Sequence, residues 1–289
     1  MLPLLAISVS RSIRQGLGAT PLPLRVLAVF DNACNLVAAD GRVFALVTRK
    51  VGDGPLNIVV DAHFPYLPLP SAGAPSWINA ECLSLGEIEI GLACADWDPR
   101  PDWGGLRARY PAVRARVPTL VRLARQLAPP LSLLALLEPD RSTSPHASRV
   151  LGAFRHALAD LAIGEMWPPS QVELVAARLA GLGWGLTPSG DDWLAGLLVW
   201  AWLAHPHAQD VGAAVVRAAV PRTTTLSAAF LHSAAQGECD AAWQTLLAAL
   251  AWDRLPSLDT AIRAVLAHGA TSGADRMAGF LYPQGQFLK

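Results

Sequence analysis

The sequence lacks an excess of charge of either sign. Charged residues make up only 16% of its 289 residues, and 23 basic side chains balance 23 acidic ones. A chain without a basic surplus has no general attraction for nucleic acid or for anionic lipid. The hydrophobic fraction of 52% also excludes a disordered protein. We therefore expect a well-packed globular protein in which any charged ligand is bound by local geometry.

Paired cysteines and a long apolar segment are missing as well. The four cysteines are widely spaced, without a Cys-x-x-Cys pattern, so we interpret them as buried thiols and predict no zinc site. The most lipophilic stretch, 193–203, is shorter than the roughly 20 residues that span a bilayer. Arg11 and Arg14 follow the apolar residues 1–10, which is the reverse of a signal peptide. A cytoplasmic protein without membrane contact is the expectation.

The first hundred residues have the pattern of β-structure. Short runs rich in valine, isoleucine and leucine, bounded by glycine, aspartate and proline, predict strands at 25–30, 43–47, 56–61 and 87–93. Asp40-Gly41 is a plausible tight hairpin turn. The fold class that we predict is α+β, and it begins with a small antiparallel β domain over residues 1–100.

Residues 101–289 predict an all-α domain. Two prolines within 97–103 mark the boundary, and beyond it alanine and leucine recur at helical spacing. Helices are predicted at 118–127, 131–137, 148–163, 169–182, 191–205, 210–220, 226–236, 240–250 and 257–268.

The helical half contains one pattern twice. Residues 185–198 align with 269–281 if Pro188 is treated as an insertion, and Ser-Gly-Asp-Asp at 189–192 then lies over Ser-Gly-Ala-Asp at 272–275. A serine with an acid three residues later is a variant of the capping box that starts a helix. Capping alone, however, does not require the glycine after each serine, the threonine before it or the glycine four residues after each aspartate.

These additional residues favour an anion site over a simple cap. Glycine lets a backbone approach a ligand closely, and a helix N-terminus presents N–H groups with a partial positive charge. Gly196 and Gly279 would let the two helices pack together, so that both helix starts face one pocket. The predicted substrate-binding residues of the repeat are Thr187, Ser189, Gly190, Thr271, Ser272 and Gly273.

Asp191, Asp192 and Asp275 are the candidate catalytic residues. Carboxylates repel an anion unless they accept helix N–H bonds, pair with a cation or hold Mg²⁺, and each could instead bind the amide NH₂ of a substrate. The sequence leaves these alternatives open. No metal ligand is assigned, and Mg²⁺ is the one cofactor that remains open.

A third polar cluster begins another helix after Pro221. In it, Arg222 is the candidate positive charge, and the neighbouring hydroxyl groups are further donors. A simple helix cap rich in serine and threonine is the alternative. The cluster adds to the predicted substrate-binding set Arg222, Thr223, Thr224, Thr225, Ser227 and Glu238.

Three motifs together carry a resemblance to a known family: residues 183–196, residues 223–227 with 235–238, and residues 271–275. In their motifs and in their order they resemble the AllH family, once described as a domain of unknown function and associated with the oxamate carbamoyltransferase of allantoin breakdown. The β-rich first half is similar in layout, so the resemblance covers most of the chain.

The resemblance implies carbamoyl transfer between carbamoyl phosphate and oxamate, a step of purine degradation that gives oxalurate and phosphate. It also implies FdrA-like and AllG-like partner subunits and a small anionic metabolite as ligand. Two other functions stay open: a non-catalytic metabolite-binding or scaffold subunit, and a Mg²⁺-dependent phosphate-ester hydrolase. The hydrolase would use as oxygen ligands Asp191, Asp192, Glu238 and Asp275.

Overall fold

The computed structural model of the chain describes five ranges of residues: 4–62, 75–134, 145–159, 167–252 and 257–285. Backbone contacts divide the chain into two units. The first unit is Met1–Pro99 together with Cys239–Ala241, and the second is Arg100–Glu238 together with Ala242–Lys289.

The first unit is built from β-strands. In chain order they are β1 (Leu4–Ser10), β2 (Leu22–Phe30), β3 (Ala33–Ala38), β4 (Val43–Thr48), β5 (Asn57–Val60), β6 (Ser76–Ile78), β7 (Cys82–Leu85), β8 (Ile88–Gly91) and β9 (Ala95–Trp97). The short helix α1 (Arg11–Gln15) follows β1. The turn predicted at Asp40-Gly41 is confirmed: it joins the antiparallel strands β3 and β4, and Gly41 has the positive φ of 86° that such a turn requires.

These strands close into a barrel, so the prediction of a small antiparallel β domain is wrong. The strand order is β5-β4-β3-β2-β6-β7-β8-β1, and β1 also pairs with β5 to close the barrel at eight strands. The ninth strand, β9, extends the sheet along β1. The pairs β1–β8, β1–β9 and β4–β5 are parallel. The prediction failed because β1, which pairs with both β5 and β8 and so closes the barrel, was not predicted as a strand.

The barrel interior is filled by every second residue of its strands. Examples are Leu36 on β3, Leu46 on β4 and Ile58 on β5, each with no solvent exposure. This period of two is the expected result when successive side chains point to opposite faces of a strand. All six residues of β4 are buried, which explains why its sequence is apolar from Val43 to Val47.

The second unit confirms the prediction of a helical half. Its helices are α2 (Trp103–Ala108), α3 (Tyr110–Leu127), α4 (Pro145–Leu158), α5 (Pro169–Leu179), α6 (Ser189–Ala204), α7 (Ala208–Ala219), α8 (Thr225–Ala235), α9 (Ala241–Trp252), α10 (Leu258–Leu266) and α11 (Ser272–Leu281). Single 3₁₀ turns follow α7 at Val220–Arg222 and α11 at Tyr282–Gln284.

Two helix predictions need correction. The helix predicted to begin at 118 starts at Tyr110 and continues through Pro118, because its buried residues, among them Val113, Val117 and Leu120, form one continuous stripe. The described part of the helix predicted at 131–137, residues 131–134, is not α-helical, and 135–137 lie outside the described residues.

Helix α6 is the centre of the helical unit. Thirteen of its sixteen residues are buried, including Trp193 and Trp200, and this accounts for the lipophilic stretch noted in the sequence. Over the described ranges of the chain, no helix is both long and apolar enough to cross a membrane.

Candidate functional site

The two copies of the repeated pattern fold as two helices that pack directly against each other. A Cβ atom added to Gly196 of α6 would lie 1.8 Å from the backbone oxygen of Arg276, and one added to Gly279 of α11 would lie 1.9 Å from that of Trp193. Trp193 and Arg276 are equivalent positions of the repeat. The contact is therefore reciprocal, and the missing side chains let the two backbones touch.

The glycine after each motif serine also makes a close backbone contact. A Cβ atom on Gly190 would lie 1.9 Å from the backbone oxygen of Leu179, at the end of α5, and one on Gly273 would lie 2.0 Å from that of Val265 in α10. Each copy is thus a helix, a turn and a second helix. In both copies the glycine at the start of the second helix lies against the backbone of the first helix.

The N–H groups of these glycines are already used inside the chain. Gly190 N donates to the backbone oxygen of Leu182 at 2.8 Å, and Gly273 N donates to that of His268 at 3.0 Å. The structure therefore gives both glycines a packing role and leaves their amide hydrogens bound to backbone oxygens.

The serines and aspartates of the two copies are joined crosswise. The Ser272 hydroxyl hydrogen-bonds the Asp192 carboxyl group, and the Ser189 hydroxyl hydrogen-bonds that of Asp275. Thr187 Oγ1 lies 3.0 Å from Ser272 Oγ, which links the copies a third time. Two helix starts that are more than 80 residues apart in the chain thus form one cluster.

Burial controls the charge of this cluster. The pKa of Asp192 is raised to about 8, mainly by loss of solvation. Arg276 and Ser272 oppose this rise, and the nearby Asp275 and Asp191 add to it. Burial likewise raises the pKa of Asp275 to about 6, against hydrogen bonds from Leu133, Ser189 and Thr271 that lower it. At pH 7 the pair therefore carries about one negative charge, on Asp275, instead of two.

Each of these two aspartates keeps one carboxyl oxygen for another contact. Oδ2 of Asp192 and Oδ2 of Asp275 are buried and accept no hydrogen bond from the residues that the structure describes. A buried acceptor without a partner is costly, and such atoms are frequent where a ligand binds.

Asp191 has a different environment from the other two candidate catalytic residues. Its Oδ1 accepts a hydrogen bond from Gly181 N at 3.1 Å, and its Oδ2 accepts one from the Thr223 hydroxyl. Desolvation raises the pKa of Asp191, while hydrogen bonds from Thr223, Gly181 and Ser227 oppose that rise. Through these two hydrogen bonds, Asp191 connects the turn before α6 with the start of α8.

The predicted cluster at the start of α8 lies next to the first motif. Thr224 caps α8 by accepting a hydrogen bond from Ser227 N at 3.1 Å, and the hydroxyls of both residues donate to the backbone oxygen of Leu186. Thr225 and Arg222 are exposed. The Arg222 guanidinium donates to the backbone oxygen of Ala218 at 2.6 Å, so it closes the end of α7.

Glu238 is not brought to the repeated motifs. It follows α8, whose eleven residues span about 16 Å, so it lies near the opposite end of that helix from Thr224. Its carboxylate is buried and pairs with Arg100, with 3.7 Å between Oε1 and Nε. Within the described part of the chain, no group of three or more His, Cys, Asp or Glu side chains is arranged to hold a metal ion.

Sequence reasoning missed two residues of the cluster. Arg276 Nη2 lies 4.0 Å from Asp192 Oδ1, and Leu133 N donates to Asp275 Oδ1 at 2.6 Å. Comparison of the two copies offers a signal for Arg276, because the first copy has Trp193 at that position. Leu133 has no such signal, since it contributes only a backbone N–H from 142 positions away.

These observations define an α+β protein with a closed β-barrel unit and a helical unit that contains an internally duplicated Ser-Asp helix pair. A family model described as oxamate carbamoyltransferase subunit AllH matches residues 179–284, and a model of the AllH family N-terminal domain matches residues 5–96. The chain therefore belongs to the AllH family, as the resemblance of its motifs predicted. Neither a search of curated proteins nor a search of solved structures found a match.

Proposed function

We propose that this chain is the AllH-type subunit of a cytoplasmic oxamate carbamoyltransferase and works with FdrA-like and AllG-like subunits. The duplicated helix pair would bind a small anionic amide. Membership of the family supports the reaction class. The observation that carries the choice of site is the crosswise bonding of Asp192 and Asp275, each with a buried oxygen that accepts no hydrogen bond from the residues described.

The proposed step transfers the carbamoyl group of carbamoyl phosphate to oxamate. The amide nitrogen of oxamate forms a bond to the carbamoyl carbon, the bond from that carbon to the phosphate oxygen breaks, and oxalurate and phosphate result. The nitrogen also loses a proton, and the ionised Asp275, with a pKa of about 6, is suited to accept it through Oδ2. Asp192, which is largely protonated at neutral pH, would donate a hydrogen bond to a developing oxyanion.

A non-catalytic metabolite-binding or scaffold subunit is the second candidate. It is favoured by the complete burial of Asp275 and by its bond to Leu133 N, which are also typical of a structural carboxylate. The Mg²⁺-dependent hydrolase has less support. Of its four proposed ligands, Glu238 pairs with Arg100 and lies away from the three aspartates.

Replacement of Asp275 by asparagine tests the catalytic role. In the complex assembled with its partner subunits, we expect Asp275→Asn to lower the rate of oxalurate formation about 100-fold or more, since a general base contributes roughly that factor. Ser272→Ala, which removes the bond to Asp192, should lower it as well. Asp259→Asn is the matched control, because Asp259 is exposed and pairs with Arg263 on α10.

Melting curves of each variant show whether it is folded. Full turnover by a folded Asp275→Asn complex would remove the catalytic role and favour the scaffold function. Inactivity of the assembled wild-type complex toward carbamoyl phosphate and oxamate would contradict the proposed reaction itself.

A further inference from the structure

The two halves of the duplicated helix pair share a backbone arrangement but differ in chemistry. In the first copy, the residue after Asp192 is Trp193. It is fully buried, and its ring centroid lies 6.0 Å from that of Phe154 and 5.4 Å from that of Tyr282. In the second copy, the equivalent residue, which follows Asp275, is Arg276. Its side chain is 17% exposed, and its guanidinium carbon lies 5.8 Å from the ring centroid of Phe230. Of these two equivalent positions, the one on α11 places a positive charge at the cluster.

The two aspartates are both buried, but their Oδ1 atoms face different groups. Asp275 has no exposed surface, and its Oδ1 is held by the N–H of Leu133, which is itself buried. Asp192 faces Arg276 instead, and the 4.0 Å between Nη2 and Oδ1 is longer than a hydrogen-bonded ion pair. Both aspartate Oδ2 atoms are buried, whereas the Arg276 side chain is 17% exposed. Of these charged groups, Arg276 is therefore the one that an incoming oxyanion can reach first, with Asp192 directly beside it.

We propose that Arg276, with Asp192 beside it, binds the oxyanion group of the substrate, and that Arg222 does not. The inference rests on the proposed function, because it takes the ligand to be a small anionic amide. The oxyanion is either the carboxylate of the oxamate-like acceptor or the phosphate of the carbamoyl donor. Both offer paired oxygen atoms that match the planar fork of a guanidinium group.

The electrostatics of the two arginines support this choice. The charged groups around Asp192 are those of Arg276, Asp275 and Asp191. The pKa of Asp192 is raised mainly by burial. At neutral pH its carboxyl group is therefore protonated, so it donates a hydrogen bond to an anion and does not repel it. Arg222, in contrast, lies in solvent, where a charged contact contributes little, and its guanidinium donates to the end of α7, the helix that precedes it.

Calorimetric titration of the chain with oxamate and, separately, with inorganic phosphate tests the assignment. A charged hydrogen-bonded contact contributes about 2 kcal/mol, so we expect Arg276→Gln to weaken binding of one of the two anions about 30-fold. Arg276→Lys, which keeps the charge without the fork, should lose less affinity. Arg222→Gln, the matched control, should bind within about twofold of the wild type. The anion whose affinity falls identifies the group that Arg276 holds.

The inference is overturned if folded Arg276→Gln binds both anions as the wild type does, or if Arg222→Gln loses the affinity instead. It is also overturned if the wild type binds neither anion at concentrations of about 10 mM. Turnover by the assembled complex would still support the proposed function in any of these cases. If anion binding depends on Arg276 but the assembled complex shows no turnover, the proposed reaction is contradicted and the assignment of Arg276 stands.

Discussion

Gly279→Ala should lower the free energy of unfolding by about 3 kcal/mol or more, at the upper end of what overpacking costs. The added Cβ atom would lie 1.9 Å from the backbone oxygen of Trp193, and a backbone oxygen within a helix cannot turn aside as a flexible side chain can. Helices α6 and α11 would have to separate at their closest point. Gly196→Ala should have a similar effect, because its Cβ atom would lie 1.8 Å from the backbone oxygen of Arg276.

Chemical denaturation followed by circular dichroism measures this effect. Gly152→Ala is the control, since Gly152 lies within α4 and a Cβ atom there would have nothing within 4 Å. That variant should be equally stable or more stable by about 0.5–1 kcal/mol, because alanine favours a helix. Equal stability of Gly279→Ala and Gly152→Ala would contradict the close crossing of the two helices.

The stability of the protein should fall as the pH rises from about 5.5 to about 7.5, and Asp192→Asn should remove about 2 kcal/mol of that fall. The folded-state pKa of Asp192, about 8, is above the ordinary aspartate value of 3.8. Between those values the folded state keeps a proton that the unfolded state has released. Each pH unit therefore costs up to about 1.4 kcal/mol, until the pH passes the folded-state pKa.

Denaturation of both proteins at several pH values within this window measures the difference. Asparagine keeps the shape and a hydrogen-bonding group but does not titrate, so the asparagine variant should show a flatter profile. Asp259→Asn is the control, because its pKa is lowered in the folded state by Arg263, and its contribution is constant in this window. Parallel profiles for wild type and Asp192→Asn would show that Asp192 is already ionised, and the charge assigned to the cluster would be wrong.

Local patterns predicted much of the helical unit. Most helix positions followed from apolar spacing, which depends on neighbours three and four residues apart. The repeated motif was also recognisable, because a close helix crossing needs glycine one turn later. The capping role considered for its serines is wrong: the N-cap residues are Pro188 and Thr271, neither helix has a side-chain cap hydrogen bond, and the serines contact the aspartates instead. The hydrogen bonds of Ser272 with Asp192 and of Ser189 with Asp275 were not predicted, because each of them joins the two copies of the repeat.

The barrel was harder to predict than the helices. Its strands have recognisable lengths, but the partner of each strand depends on segments far away in the chain. The parallel pairs β1–β8 and β4–β5 have no local signature in the residues that form them. For that reason the hairpin at Asp40-Gly41 was predictable, whereas closure of the sheet was not.

The sequence by itself determined the two helix starts and the acids, hydroxyls and glycines that they contain, because these features are set by residues within one helical turn of each other. Only the tertiary structure decided which charges meet. It placed Arg276 beside Asp192, held Arg222 at the end of the preceding helix α7, and brought the N–H of Leu133 to Asp275. Contacts of this kind depend on the burial of whole elements against each other, and no short stretch of sequence contains that information.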